Sequence, residues 1–264
     1  MLEITFKKRD YLHPIANKEA ITKEQYIIAT TQRSGSTLLC DLLLQTGVCG
    51  QPGEYFTPSF VERNQELLAF GNGNSDPINA NLGEYIQHIF SRYHLGNGVS
   101  GIKVTWDQIS RINHDLNRNK FLKASIHKSF NKYFGKSKII FLRRANITSQ
   151  AISKHIAFNS EKWHSWDNKT NAVQFSESSI IKFIREIENH NDAWLNLLNK
   201  SNAEFINVFY EEICLKPTET ISKILQFICN QNIQIENKPL CEIKKTHSSL
   251  KVEFEKRFNN QLCL

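Results

Sequence analysis

The sequence predicts a three-layer α/β/α fold with a central parallel sheet, and three observations predict it. Four short runs rich in β-branched and aromatic residues have apolar centres without strict alternation, as strands covered on both faces do. Amphipathic helical segments separate these runs, and such alternation favours parallel pairing through right-handed crossovers. The length of 264 residues suits a single domain that spans residues 1–264.

The elements follow one another in a regular order. The predicted strands are residues 26–30, 99–105, 138–142 and 205–210. The predicted helices are residues 38–45, 82–93, 121–134, 148–158, 179–198 and 218–229. A parallel sheet gathers the carboxyl ends of its strands at one edge, which is where such sheets bind ligands. We therefore expect the chemistry of this chain in the residues that directly follow the strands.

Composition and charge exclude several classes of protein. A hydrophobic content of 40% excludes an intrinsically disordered chain. The mean hydropathy is −0.42, and no apolar run approaches the ~20 residues that span a bilayer. The N-terminus lacks the apolar region of a secretory signal, so we expect no integral membrane segment and a cytoplasmic location. The net charge of +7 leaves three anionic partners open: nucleic acid, a membrane surface or a small ligand.

Neither the cysteines nor the histidines form a metal-binding pattern. The six cysteines include no CxxC pair, so we expect free thiols in a reducing compartment. The nine histidines include no HExxH or similar spacing, and no metal is expected. His155 and His164 are expected to be surface or substrate-side residues.

The first predicted strand runs into a polar turn around one glycine, Arg33-Ser34-Gly35-Ser36-Thr37-Leu38, and then a helix. Such a turn directs backbone N–H groups and the positive end of the helix dipole at one point, where phosphate binds. Ser34, Ser36 and Thr37 add hydroxyl donors, and Arg33 adds a forked charged donor. The alternative is a plain helix N-cap by Ser34 or Ser36. The turn has one glycine with no lysine after it, so it is not a Walker A loop.

The third predicted strand ends in two arginines, Arg143 and Arg144. In the helix that follows, Ser149 and Ser153 share one face because they are four residues apart. Arg144 and Ser153 are therefore predicted to bind a second phosphate group, whereas the alternative is a solvated arginine pair beside a capped helix. Two anion-binding segments at one edge of a sheet favour a ligand with two separated phosphate groups.

These segments resemble the sulfotransferases that use 3′-phosphoadenosine 5′-phosphosulfate (PAPS), most closely the bacterial trehalose 2-sulfotransferase family, which is similar to lipopolysaccharide-modifying sulfotransferases. The resemblance extends from about residue 26 to about residue 228 and is carried by residues 32–39, 46–56, 101–106, 144–153 and 209–217. It implies a P-loop-NTPase-like fold, PAPS as co-substrate and the adenosine 3′,5′-bisphosphate PAP as product. It also implies that the segment from Arg33 to Leu38 binds the 5′-phosphosulfate, and that Arg144 with Ser153 binds the 3′-phosphate.

The chain departs from the broader superfamily at three places. Cytosolic sulfotransferases carry a lysine in the turn, where this chain has Arg33. They carry Lys-Thr-His at the second strand end, with the histidine as general base, whereas this chain has Lys103-Val104-Thr105. The closer family implies that Glu54 is the base, and it commonly has an acidic residue where this chain has Gln51. The residues alone favour a surface loop carboxylate as the interpretation of Glu54. Lys103 is either a cation near the sulfonyl group or a snorkelling lysine at a strand end.

The resemblance implies in-line transfer of a sulfonyl group to a hydroxyl of a carbohydrate or glycolipid, with Glu54, Arg33 and Lys103 as catalytic residues. It also implies a homodimer. Five aromatic side chains either contact the sugar or pack in the core: Tyr55, Phe56, Trp106, Trp163 and Trp166. The basic segment 244–257 either reaches the nucleotide phosphates through Lys244 or Lys245 or forms a solvated helix face.

Two other functions compete with sulfonyl transfer. A diverged P-loop-like kinase or NTPase would use the same turn, but the Walker lysine is missing. A non-catalytic phosphate-binding or nucleic-acid-binding module would use the net charge. The chain has no RNP, KH or zinc-finger pattern, and its cations are dispersed. We therefore expect a small nucleotide rather than nucleic acid as the partner.

Overall fold

A computed structural model of the chain describes residues 2–5, 7, 21, 23–57, 60, 77–110, 125–164, 167–168, 171–201, 203–237 and 248–262. The strands are β1 (Leu2–Ile4), β2 (Glu24–Thr30), β3 (Val99–Thr105), β4 (Lys138–Arg143), β5 (Phe205–Phe209) and β6 (Ile233–Ile235). The helices are α1 (Ser36–Gln45), α2 (Pro77–Arg92), α3 (Ile126–Phe134), α4 (Ile147–Ser160), α5 (Glu177–Lys200), α6 (Tyr210–Leu215), α7 (Pro217–Cys229) and α8 (Ser248–Leu262). A helical turn at residues 106–110 follows β3 directly.

The central sheet has four strands in the order β3-β2-β4-β5, and every pairing in it is parallel. The register pairs Thr30 at the end of β2 with Thr105 of β3 and with Leu142 of β4. Arg143 of β4 pairs in turn with Phe209 of β5. The four strands therefore end at nearly the same level, and their carboxyl ends form one continuous edge.

Both faces of this sheet are covered by helices. In β2, Ile27 and Ala29 belong to a core shared with α2, α3 and α5. Tyr26 and Ile28, on the opposite face, belong to a core shared with α1 and α7. All four side chains are fully buried, and each large one contributes ~1.5–3 kcal/mol through burial. The prediction of a three-layer α/β/α arrangement around a parallel sheet is confirmed.

The boundaries differ from the predicted ones in two informative places. The fourth strand of the central sheet ends at Phe209, because Tyr210 is the first residue of the short helix α6. A second, two-stranded parallel sheet joins β1 to β6, with Leu2 opposite Ile233. Strands of three residues show too little periodicity to be found in the sequence.

A third core lies between α4, α5 and α8. Phe254 and Phe258 of α8 are each 2% exposed and pack there with Ile152 and Ile180. The face of α8 that carries Glu253, Lys256 and Arg257 is exposed, which agrees with the predicted solvated helix face, while the opposite face is buried. Lys244 and Lys245 lie outside the described residues. No helix in the described part of the chain is both long enough and apolar enough to cross a membrane.

Candidate active site

Two residues of the turn between β2 and α1 have positive φ angles, and no side chain caps the helix that follows. Gly35, the residue before α1, has a φ of +89°, and Arg33 has a φ of +63°. A glycine has no side-chain oxygen to cap a helix, so the first N–H groups of α1 remain oriented toward the sheet edge. Ser34 does not cap the helix either, because its hydroxyl shares a hydrogen bond of 2.5 Å with the hydroxyl of Thr30. The arrangement is that of an anion-binding helix N-terminus.

Arg33 lies across this turn and reaches two other segments. Its Nε donates to Ser153 Oγ at 3.1 Å, and its Nη1 donates to the carbonyl of Trp163. Burial and repulsion from Arg144 lower the pKa of Arg33 to about 10, so the side chain stays charged at neutral pH. Two mutually repelling guanidinium groups at one edge make a site that favours an anion between them.

Arg144 makes a different set of contacts from the predicted one. Its Nη2 donates to Ser149 Oγ at 2.9 Å, whereas Ser153 is the partner of Arg33. Arg144 and Ser153 are therefore not hydrogen-bonded to each other, and their joint binding of a phosphate group stays a prediction. Both serines do lie on the same side of α4, so the two arginines and two serines form one polar cluster. Arg143 points away from it, since its Nη2 donates to Asn207 Oδ1 at 3.1 Å.

Glu54 and Lys103 form an ion pair with 2.6 Å between Oε1 and Nζ. Backbone contacts bring them together, because the N–H of Lys103 donates to the carbonyl of Gly53 at 2.9 Å. The Lys103 side chain is 2% exposed, so it is not a snorkelling lysine, and Glu54 is 33% exposed. Lys103 Nζ also lies 3.5 Å from Thr37 Oγ1 in α1. This ammonium group therefore connects the Glu54 loop to the anion-binding turn.

The charges of this pair support each other. Burial by itself raises the pKa of the Glu54 carboxyl, but Lys103, His164 and a hydrogen bond from Gln108 outweigh it and hold the pKa below its ordinary value. Burial lowers the pKa of Lys103, but Glu54 outweighs it and raises the pKa above its ordinary value. Both groups are ionised at neutral pH, and the Glu54 carboxylate keeps a third of its surface accessible.

Trp163, His164 and Asp167 lie close to Arg33. Asp167 Oδ2 accepts hydrogen bonds from the N–H groups of Trp163 and His164, both at 2.7 Å. The His164 imidazole lies in the electrostatic field of Lys103 and Glu54. Burial and the nearby Lys103 lower the pKa of His164, so it is neutral at pH 7. The expectation that His164 is a surface or substrate-side residue stays a prediction.

Other polar residues near the edge were not assigned roles from the sequence. Gln150 of α4 is fully buried, and its Nε2 donates to Thr31 Oγ1 at 2.8 Å and to the carbonyl of Gln32 at 2.7 Å. It thereby ties α4 to the anion-binding turn. Its signal in the sequence is its place between Ser149 and Ser153 in a segment that carries the family resemblance.

The candidate aromatic and histidine residues have mixed outcomes. Tyr55 and Phe56 are buried in the core beside α2, which agrees with core packing. Trp106 packs edge-on against Trp194 with 5.3 Å between ring centroids. Trp166 lies outside the described residues. His155 is 2% exposed, so its expected place at the surface is wrong. Polar partners make that burial possible, since its ring nitrogens lie 3.0 Å from Ser179 Oγ and 2.9 Å from the carbonyl of Gln174.

One group of potential metal ligands lies beside this edge. Asp107, Glu186 and His190 bring ligand atoms within 4.8 Å of one another. Sequence spacing does not reveal the group, because Asp107 follows β3 whereas the other two belong to α5. Lys154 Nζ lies 3.1 Å from Glu186 Oε1, so an ammonium group already neutralises one of the carboxylates.

Comparison with known proteins decides the family. The family model described as Stf0 sulphotransferase matches residues 25–261, which include every strand of the central sheet except the first residue of β2. The chain belongs to the Stf0 sulfotransferase family. The family resemblance inferred from the sequence is thereby confirmed, and the all-parallel sheet with its flanking helices is consistent with a sulfotransferase fold.

Two curated relatives of this Stf0 sulfotransferase have the same name. A trehalose 2-sulfotransferase of Mycobacterium tuberculosis is 23% identical over 240 residues, which cover 82% of this chain and 88% of the relative. A trehalose 2-sulfotransferase of Mycolicibacterium smegmatis is 24% identical over 239 residues, with the same coverage. Each match therefore covers most of this chain and most of the relative. Trehalose belongs to the names of these relatives.

Proposed function

We propose that this Stf0 sulfotransferase transfers a sulfonyl group from PAPS to a hydroxyl of a carbohydrate or glycolipid acceptor. One observation carries the proposal. Two partly buried arginines near neighbouring strand ends repel each other beside an uncapped helix N-terminus, and the Lys103–Glu54 ion pair lies at the same edge. A bisphosphorylated nucleotide satisfies the first feature, and a reaction that takes a proton from a hydroxyl needs the second.

The donor nucleotide binds with its 5′-group at the turn before α1 and its 3′-phosphate at Arg144. Arg33, the hydroxyl group of Ser36 and the first N–H groups of α1 bind the 5′-phosphosulfate, with Ser34, Gly35, Thr37 and Leu38 completing the turn. Arg144 binds the 3′-phosphate, with Ser149 and Ser153 beside it. The Nε of Arg144 supports this assignment, since it is buried and makes no hydrogen bond to any of the described residues.

The chemical step is an in-line displacement at sulfur. The acceptor oxygen forms a bond to sulfur while the bond from sulfur to the 5′-phosphate oxygen breaks, and the acceptor proton passes to the Glu54 carboxylate. The products are the sulfated acceptor and PAP. Lys103 and Arg33 stabilise the negative charge that develops on the sulfonyl and phosphate oxygens. Lys103 is suited to this role because its Nζ reaches both Glu54 and Thr37.

The acceptor we propose is trehalose or a related glycolipid, since both curated relatives are named for trehalose. Gln51, where the family commonly has an acid, is 8% exposed, and its carbonyl accepts a hydrogen bond from the Tyr55 hydroxyl. That position therefore shapes the Glu54 loop from within the core. Cys49, Cys214 and Cys229 are free thiols, which supports a cytoplasmic location.

The experiment follows radiolabelled sulfate from PAPS into trehalose and into a lipid extract, with wild type and Glu54→Gln. We expect Glu54→Gln to lower turnover by about 10²–10⁴-fold, the typical contribution of a general base, without weakening PAP binding. Glu186→Gln is the matched control, because Glu186 is 32% exposed and pairs with Lys154, which is 6% exposed. The assignment of the base is wrong if Glu54→Gln keeps full turnover or if both variants lose turnover equally.

A further inference from the structure

The first two residues of α6 contact both phosphate-binding segments proposed above. Tyr210 lies over the anion-binding turn so closely that a Cβ built on Gly35 would be 2.8 Å from Tyr210 Cε2 and closer still to Cδ2. The same ring lies against the second segment, with 4.6 Å from its centroid to Arg144 Cζ. One aromatic ring therefore fixes the distance between the two segments.

Glu211 holds the backbone that carries Arg144. Its Oε2 accepts a hydrogen bond from the N–H of Ala145 at 2.9 Å, and its Oε1 accepts one from the N–H of Asn146 at 3.3 Å. Glu211 Oε1 also lies 3.8 Å from Arg144 Nε. A carboxylate that binds two consecutive backbone amides restricts the turn between β4 and α4 strongly, because each bond is charge-assisted.

The chain of contacts continues into α4 and returns to Arg144. The Asn146 side chain accepts a hydrogen bond from the N–H of Ser149 at 2.8 Å, and Ser149 Oγ accepts one from Arg144 Nη2 at 2.9 Å. Arg144 is therefore held from its own turn, from α4 and from α6. Because the guanidinium group contacts Ser149, the Tyr210 ring and Glu211, it has few conformations to lose when a phosphate group arrives.

We propose that Glu211 is a positioning residue, which together with Tyr210 sets the position of Arg144 relative to the turn at Gly35. The consequence is specificity: this pair makes the site select a nucleotide that carries a 3′-phosphate in addition to its 5′-group. The inference rests on the proposed function, because it takes the ligand to be a nucleoside 3′,5′-bisphosphate.

A purely electrostatic role of Glu211 is the alternative, and it predicts the opposite change in the affinity for a 3′-phosphate. The Glu211 carboxylate partly neutralises Arg144, so a purely electrostatic role predicts that removing the charge strengthens binding of a 3′-phosphate. A positioning role predicts that the same change weakens it. Glu211→Gln keeps the size of the side chain and places an amide NH₂ group where a backbone N–H needs an acceptor. The sign of the change in affinity separates the two roles.

The test is calorimetric titration of the full chain with PAP and with adenosine 5′-monophosphate (AMP). We expect Glu211→Gln to raise the Kd for PAP about tenfold, the factor that one charge-assisted hydrogen bond supplies, and to leave the Kd for AMP unchanged. Glu219→Gln is the control, since Glu219 is 71% exposed and forms an ion pair with Lys216. Tyr210→Leu should also reduce the preference for PAP, whereas Tyr210→Phe, which keeps the ring, should retain it.

The outcomes separate this inference from the proposed function. If wild type prefers PAP over AMP and Glu211→Gln keeps that preference or binds PAP more tightly, the positioning role is overturned and the proposed function stands. An equal loss of affinity for both nucleotides overturns it too, because it indicates general destabilisation. If wild type binds neither nucleotide, the proposed function is contradicted and the inference falls with it.

Discussion

Gly35→Ala is the change to which the anion-binding turn should be most sensitive. Gly35 has a φ of +89°, a conformation that costs an alanine about 1–2 kcal/mol. The new methyl group would also lie 2.8 Å from Tyr210 Cε2, so the ring or the turn must shift at a further ~1–3 kcal/mol. The expected loss of unfolding free energy is the sum of these, about 2–5 kcal/mol.

A second glycine separates the two contributions. Gly96 has the same φ of +89°, but a Cβ built there meets no atom within 4 Å. Gly96→Ala should therefore lose only the backbone cost of about 1–2 kcal/mol. Since ~1 kcal/mol shifts the Tm of a chain of this size by about 2–4 °C, the two variants should be distinguishable by thermal unfolding.

The assay combines thermal unfolding with titration of PAP. Gly35→Ala should be the less stable variant and should lose affinity for PAP, whereas Gly96→Ala should bind PAP as wild type does. Adding Tyr210→Ala to Gly35→Ala should recover the steric part of the cost, as a double-mutant cycle can show. Equal stability losses and equal PAP affinities in the two glycine variants would refute the close packing of Tyr210 on the turn.

Three further predictions concern the charged residues at the sheet edge. Glu54→Gln leaves the buried Lys103 ammonium unpaired, so it should lower the free energy of unfolding in urea by about 3–5 kcal/mol. Lys103→Met should lower it less, because it leaves a carboxylate that water reaches. The reverse order would contradict the burial of Lys103. Although burial raises it, the pKa of Glu54 is lowered in the folded state by Lys103, so its stabilisation is present above pH 4.5 and is lost as the pH falls through the folded-state pKa. Acid unfolding should therefore be less steep in Glu54→Gln, and an unchanged slope would contradict the ion pair. Arg144→Ala should weaken PAP binding by about tenfold to 150-fold in calorimetry while sparing AMP, and equal weakening of both would place Arg144 away from the 3′-phosphate.

The main strands could be predicted because their residues are apolar on both faces. Val99–Thr105 and Lys138–Arg143 are almost fully buried, and only a strand covered by two layers accommodates such a composition. The same reasoning places Arg33 and Arg144 at one edge, since parallel strands end together. The family resemblance then added Glu54, whose place in a loop carries no periodic signal.

The partners of the site residues could not be predicted from spacing. Helical periodicity puts Ser149 and Ser153 on one face, but which arginine each serine meets depends on the direction of two long side chains. The structure pairs Ser153 with Arg33 and Ser149 with Arg144. The full burial of Lys103 could not be predicted either, because its neutralising partner comes from a loop about fifty residues earlier in the chain.

The contact of Tyr210 with Gly35 illustrates the same limit. The sequence indicates a strand through residue 210, since aromatic residues favour strands. The chain instead begins a helix at Tyr210, where the N–H of Phe209 finds its acceptor in the Glu212 side chain at 3.0 Å. This early turn places the ring over the anion-binding segment, and capping of this kind is set by a few local hydrogen bonds that hydrophobic patterns do not reveal.

The central claim is that PAPS is the donor and that a carbohydrate hydroxyl is the acceptor. Mass spectrometry tests it most directly, with the purified chain incubated with PAPS and either trehalose or a glycolipid extract. The account predicts an acceptor that gains the mass of one sulfonyl group, in step with the release of PAP and only in the presence of PAPS. Phosphorylation of the same acceptors from ATP, without any PAPS-dependent product, would contradict it.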